Sequence, residues 1–244
     1  MKHYKASITA ALLCILSLNT AQARIGAVVP AVVNKGQLTV ATRLQHTLDD
    51  KNKRVDQRER ARLFVDYGLT DWYALWLAAE GQDIQGESPE ISRLLLDQRV
   101  ELTSTQADGF YSGFRVRLEH WEIDNAIDTL HIRMILGKEM GKWDARINQF
   151  FGVELGDNRR GGMLSETRSH VTYAYHPAHR IGVESFHVYG NLSDNFNYSQ
   201  QQHSVGPTFV GAITDTVRYE AGYLAGISDA AADHALYVGF SKAF

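Results

Sequence analysis

Cysteine, proline and long apolar segments are all scarce in this 244-residue sequence. It contains one Cys and four Pro, and 22% of its residues are charged, with a formal net charge of -3. The near-neutral net charge lacks the excess of basic residues that is typical of nucleic-acid-binding proteins, so we expect no nucleic-acid partner. A mean hydropathy of -0.26 argues against a protein built from membrane-spanning helices.

The first 23 residues have the three-part layout of a secretory signal peptide. Lys2 and Lys5 precede an apolar run over 10–18, and Ala21 and Ala23 are the small residues at the cleavage positions. The apolar run is too short to cross a bilayer as a helix. We therefore expect cleavage near Ala23. The single cysteine lies within this segment, so the remaining chain must be stable without disulfides.

After the export segment, apolar and polar residues alternate with a period of two, which predicts β-strands. Gaps after the odd-numbered predicted strands are longer and polar, and gaps after the even-numbered ones are mostly tight. Outer-membrane barrels show this sorting, because both termini lie in the periplasm and the outer loops are long. We predict an all-β, antiparallel, up-and-down transmembrane β-barrel over 37–244. Its twelve strands span 37–48, 57–68, 72–80, 91–103, 109–119, 127–138, 142–154, 163–175, 179–190, 200–212, 216–225 and 235–244.

The two faces of the predicted strands differ in polarity. In the second strand, Leu63 and Val65 share one face, and Arg60 and Arg62 share the other. A soluble sandwich buries its apolar face in a common core, whereas a membrane barrel turns that face to lipid and the charged face to its lumen. The predicted lumen residues are Arg58, Arg60, Arg62, Asp66, Arg93, Asp97, Arg99, Glu101, Arg115, Arg117, Glu119, Arg133, Arg146, Glu184, Arg218 and Glu220.

The last predicted strand is apolar on one face and ends in phenylalanine. Leu236, Val238, Phe240 and Phe244 share that face, from which Lys242 departs. The pattern resembles the C-terminal signal of Gram-negative outer-membrane barrels, which the barrel-assembly machinery recognises. The resemblance implies that Phe240 and Phe244 form an assembly signal. It also implies that the protein lies in the outer membrane of a Gram-negative bacterium, in contact with lipid and lipopolysaccharide.

A second resemblance covers roughly the last fifth of the chain. Residues 203–209 (His-Ser-Val-Gly-Pro-Thr-Phe) and 219–233 resemble the closing strands of a group of poorly characterised proteobacterial barrels. These barrels are often described as outer-membrane transporters and labelled by neighbouring phenol-degradation or copper-resistance genes. Such labels reflect gene context more than chemistry, so the resemblance implies a fold and no particular substrate.

Arginine outnumbers acid on the predicted inward face, and lysine is nearly absent. Guanidinium groups pair with carboxylates in bidentate fashion, so these rows either brace a narrow barrel or line an anion-attracting passage. We favour a narrow channel for small anionic or zwitterionic solutes, with a closed, salt-bridged structural barrel as the alternative. Residues 24–36, apolar around Pro30, fit no strand and are expected to form a periplasmic arm or a plug in the lumen.

A lipid-face hydrolase or acyltransferase is a further alternative. Ser185 and His187 share a face near the outer end of one predicted strand, and His203 on the next strand could approach them. A serine hydroxyl needs a base and a group that orients the base, and no third group is evident. The chain has no metal-ligand spacing and no phosphate-binding glycine loop before a helix. We therefore assign no catalytic residue and expect neither metal nor cofactor.

Overall fold

The computed structural model of the protein describes residues 26–51, 56–83, 90–104, 109–122 and 126–244. The predicted export segment, 1–23, lies outside the described residues. The two helices in these ranges, Leu192–Asp194 and Tyr198–Gln200, are short 3-10 turns. No helix of the described ranges has the length and apolar content of a membrane span. The strands are β1 (Leu38–Leu48), β2 (Arg58–Gly68), β3 (Tyr73–Asp83), β4 (Glu90–Thr103), β5 (Phe110–Trp121), β6 (Thr129–Met140), β7 (Trp143–Glu154), β8 (Leu164–His176), β9 (His179–Asn191), β10 (Gln202–Ala212), β11 (Val217–Gly226) and β12 (His234–Ala243).

The twelve strands form one closed antiparallel barrel in which each strand pairs with its neighbours in sequence. Pairing of β1 with β12, from Thr39 opposite Ala243 to Leu48 opposite His234, closes the barrel. Closure leaves no sheet edge with unpaired backbone groups. The predicted up-and-down barrel of twelve strands is therefore confirmed.

The connections sort into two kinds, which define the two ends of the barrel. The turn end carries the connections after the even-numbered strands, such as the two-residue turn formed by Gly141 and Lys142. Gly141 has a φ of +62°, a backbone conformation that a side chain disfavours. The loop end carries the longer connections, such as 155–163 and 192–201.

The third strand runs three residues beyond its predicted end at Glu80, and a bulge in its partner strand β4 shifts the register at this point. Glu80 pairs with Arg93 and Gly81 pairs with Ile91, so Ser92 is the extra residue of β4. The Ser92 hydroxyl donates to the Glu80 carbonyl oxygen at 3.0 Å. Beyond the bulge, β3 pairs with β4 as far as Gln82 and with β2 as far as Asp83.

The barrel has its apolar side chains outside and its charged side chains inside. In β6, Ile132, Met134 and Leu136 point outward and are 50%, 51% and 45% exposed. Arg133 and His131, on the other face of the same strand, are 3% and 4% exposed. This inversion of the pattern of a soluble protein requires an apolar surrounding, as the outer face of a membrane barrel has.

Candidate functional site

The inward faces of β2 to β6 are filled by a network of arginines and carboxylates. Glu80 is fully buried and accepts hydrogen bonds from Arg62 Nε at 3.0 Å and from Arg93 Nη2 at 2.8 Å. Arg93 Nη1 also donates to Glu119 Oε2 at 2.6 Å. Each of these buried charges has an opposite partner, so loss of one partner would leave an uncompensated charge away from water. We refer to these residues, with those of the next paragraph, as the arginine wall.

The second centre of the arginine wall is Asp97, whose carboxylate joins two guanidinium groups. Arg115 Nε donates to one oxygen at 2.7 Å, and Arg117 Nε donates to the other at 2.8 Å. Trp76 lies among these cations, with the Arg117 guanidinium carbon 4.9 Å and the Arg115 guanidinium carbon 5.4 Å from its ring centroid. The aromatic face partly offsets the repulsion between neighbouring arginines.

The N-terminal arm, residues 26–36, crosses the lumen. Asn148 on β7 accepts a hydrogen bond from Val29 N at 2.9 Å and donates to Val29 O at 3.1 Å. Arg146 donates to the Val28 carbonyl oxygen at 3.0 Å, and Val33 N donates to Glu101 on β4 at 2.6 Å. The arm is therefore attached to inward-facing side chains of β7 and β4.

Apolar packing adds to these hydrogen bonds. Ala31 is fully buried against Tyr111 and Ile135. Tyr111 reaches this position by lying over Gly137, where an added Cβ would come within 2.1 Å of the Tyr111 ring. Tyr111 also donates to Asp144 at 2.9 Å, which fixes its ring beneath the arm.

A cavity of about 580 Å³ remains between the arm and the inward faces of β6 to β12, β1 and β2. Its wall along β10 to β12 and β1 consists largely of small residues, including Gly211, Gly239 and Ala41. The charged residues that line it are four carboxylates and three guanidiniums: Glu139, Asp144, Glu184, Glu220, Arg146, Arg180 and Arg218. The cavity therefore has one carboxylate more than it has guanidiniums, whereas the arginine wall has four arginines and three carboxylates.

The predicted lumen residues all lie on the inward parity of their strands, with different surroundings. Arg58, Arg60 and Arg133 are buried, whereas Arg218 is exposed and lines the cavity. Arg99 and Asp66 form an ion pair with 2.9 Å between Nη2 and Oδ2. Several residues of the network are missing from the predicted set, including Glu80, Asp144, Glu166 and Arg168.

The candidate catalytic residues lie on the outer face, and no serine–histidine pair forms there. Ser185 Oγ lies 2.8 Å from Ser169 Oγ. His187 Nδ1 instead lies 3.0 Å from His203 Nδ1. Among the described residues no hydrogen bond joins Ser185 to either histidine, so the geometry does not assemble a base-activated hydroxyl. Nor do the described ranges contain a group of three or more potential ligands placed to hold a metal ion.

Two arginines lie in the 155–163 loop at the loop end. Arg160 Nε donates to Glu154 at 2.9 Å, and this hydrogen bond raises the pKa of Arg160. Arg159 donates to the Gly156 carbonyl oxygen at 3.2 Å. Arg160 is thus engaged by a carboxylate, whereas Arg159 binds only a backbone oxygen among the described residues.

The barrel is similar to solved outer-membrane channels. The COG4313 outer membrane channel from Pseudomonas putida F1 aligns over 93% of this chain and 100% of its own, with 12% identity and a TM-score of 0.62. A KdgM porin aligns over 84% and 99%, with 8% identity and a TM-score of 0.61. A NanC porin aligns over 83% and 98%, with 10% identity and a TM-score of 0.56. No family model and no curated protein matches the sequence. The similarity shows that the chain has the outer-membrane β-barrel fold.

Proposed function

We propose that the protein is a narrow outer-membrane channel of a Gram-negative bacterium for small anionic or zwitterionic solutes. The observation that carries the proposal is the charged cavity of about 580 Å³ inside a closed barrel. A barrel that serves solely as a scaffold has no need of such a space. The structural neighbours named as porins or channels support the same class of function.

The N-terminal arm limits the proposed passage. Beyond the arm, toward the loop end, lie two cavities of about 50 and 20 Å³, which are lined in part by Phe186 and Phe150. A water molecule occupies about 30 Å³ in the liquid, so these spaces hold little more than single waters. We infer that solute passage requires the arm to shift, and that the resting conductance is therefore small.

A closed structural barrel is the second candidate, because the arginine wall favours it. Glu80 and Asp97 are fully buried. Glu80 forms ion pairs with three arginines and Asp97 with two, so these side chains fill much of the lumen along β2 to β6. In this account the arm completes the filling of the barrel. The two candidates differ in one measurable property, ion conductance.

Single-channel recording in planar lipid bilayers distinguishes the candidates. The purified chain in KCl is expected to give small, discrete current steps, with no preference for cations in a salt gradient. Bilayers with matched detergent and no protein serve as the control. The absence of current steps, or a clear cation preference, contradicts the proposed channel, and absence of conductance supports the closed barrel.

The surroundings of the barrel follow from the same proposal. The outer face contacts the hydrocarbon of the outer membrane, and the exposed Arg159 lies at the level where lipopolysaccharide phosphates would be met. Phe240 and Phe244 are 48% and 66% exposed, so both are accessible to the barrel-assembly machinery.

A further inference from the structure

Three adjacent inward side chains form a charged row beside the cavity. Strand register places Arg146 on β7 opposite His170 on β8, and His170 opposite Glu184 on β9. All three line the cavity. The next position along the row is Gly206 on β10, which pairs with Glu184. Because Gly206 has no side chain, the row of charged side chains ends at Glu184, which lines the cavity.

Glu184 is a buried carboxylate with an unused acceptor. It is 4% exposed, and its Oε1 atom accepts no hydrogen bond from the described residues. The nearby guanidiniums are engaged elsewhere, since Arg43 donates to Glu220 at 3.0 Å and Arg168 donates to Glu166. A buried carboxylate without a full set of partners is costly, so the arrangement favours a cationic group in the cavity.

Positively charged side chains line the cavity nearer the turn end of the barrel. Arg180 Nε donates to the Thr172 hydroxyl at 3.0 Å, and Arg180 Nη2 donates to the Lys142 carbonyl oxygen at 3.1 Å. Arg218 lines the same cavity. Neither arginine forms an ion pair with a carboxylate within the part of the chain that the structure describes. Both are therefore available to bind an anionic group of a solute. Arg180 and Glu184 lie four residues apart on β9, which separates their Cα atoms by about 13 Å.

We propose that the cavity is a binding site for an amino-carboxylate zwitterion, with its ammonium group on Glu184 and its carboxylate on Arg180 and Arg218. The proposal rests on the proposed function, because it names the solute class for which the channel is selective. The separation of the two poles favours a linear solute whose charges are several bonds apart. A volume of about 580 Å³ is ample for such a molecule with its waters.

Isothermal titration calorimetry of the full folded chain in detergent tests the site with three ligands of equal length. These are 5-aminopentanoate, pentanoate and pentylammonium, which carry both charges, the negative charge alone and the positive charge alone. We expect 5-aminopentanoate to bind about tenfold or more tightly than either of the others, since each of them lacks one of the two charge-assisted contacts. Equal affinities for the three ligands would overturn the proposal.

Two variants test which side chain binds the ammonium group of the ligand and which binds its carboxylate. Glu184→Gln is expected to reduce 5-aminopentanoate binding to the level of pentanoate, and Arg180→Gln to the level of pentylammonium. Glu59→Gln, on the outer face, and Arg159→Gln, in a loop, are the matched controls and should bind as the wild type does. Unchanged binding in both lumen variants refutes the site. Arg180 lies at the half-exposed rim, so its variant remains informative if Glu184→Gln fails to fold.

Calorimetry separates this inference from the proposed function, because it needs no membrane. Binding of 5-aminopentanoate without conductance refutes the channel and leaves the site standing. Conductance without preferential binding refutes the site and leaves the channel standing.

Discussion

The side chain of Asn148 holds the backbone of Val29 by two hydrogen bonds, one in each direction, at 2.9 and 3.1 Å. An asparagine amide has a hydrogen-bond donor and an acceptor, as a peptide group has. Asn148 therefore pairs with the backbone of the arm in the way that a neighbouring strand would. It thereby fixes the arm in the middle of the lumen, next to the cavity.

Asn148→Ala is expected to loosen the arm and raise the single-channel conductance several-fold. The reason is that Val29 loses both partners while the barrel wall keeps its backbone pairing. The matched control is Gln149→Ala, since Gln149 is the next residue of β7 and points outward, where it bonds Thr167 and Ser165. Equal conductance in wild type and Asn148→Ala would show that the arm does not limit the passage.

Glu80→Gln is expected to destabilise the barrel by about 3–5 kcal/mol, because it leaves buried guanidiniums without their counter-charge. Arg62 and Arg93 both donate to this carboxylate. The measurement is the temperature at which the folded barrel loses its characteristic migration in gel electrophoresis. Glu59→Gln on the outward face, where Glu59 pairs with His46, is the control. Similar shifts in the two variants would contradict a structural role for the arginine wall.

Gly137→Ala is expected to destabilise the barrel by about 1–3 kcal/mol through overpacking. The new Cβ would lie 2.1 Å from the Tyr111 ring, which must then leave its place beneath Ala31. Thermal unfolding of the purified protein measures the effect. Gly81→Ala is the control, because the nearest atom to its Cβ, the Glu90 carbonyl oxygen, is 3.5 Å away. If both glycine variants unfold at the wild-type temperature, the close approach of Tyr111 to Gly137 does not contribute to the stability of the barrel.

Phe244→Ala is expected to lower the amount of folded protein in the outer membrane several-fold, while the purified chain refolds normally in detergent. The substitution removes the exposed ring and keeps the hydrogen bond from Phe244 N to Leu38 O, at 2.9 Å. Membrane fractionation measures the first effect, and Lys242→Ala on the same face is the control. A defect in refolding as large as the defect in cells would assign the ring to stability rather than to recognition by the assembly machinery.

The alternation of residues was sufficient to predict the twelve strands and most inward charges. In β5, Arg115, Arg117 and Glu119 share a parity opposed to Val116 and Leu118, so their inward orientation follows from the period of two. The period is independent of which strands meet across the lumen, and this explains its success.

We did not predict Glu80 as a lumen residue, because the residues before it on the inward face of β3 are apolar. Ala74, Trp76 and Ala78 precede it on the inward parity of β3, so this strand lacks the polar alternation that marks the lumen in its neighbours. The pairing of Glu80 with Arg93 depends further on the bulge at Ser92, which has no signal in the residue types. The contacts of the arm could not be predicted from the sequence either, since Val29 and Asn148 are 119 residues apart.

The claim that this barrel passes small zwitterionic solutes is tested most directly by osmotic swelling of proteoliposomes. Wild-type protein is expected to admit glycine faster than the trisaccharide raffinose, and Asn148→Ala is expected to admit glycine faster still. Swelling in glycine no faster than that of protein-free liposomes, for both wild type and Asn148→Ala, would contradict the channel and identify the barrel as closed.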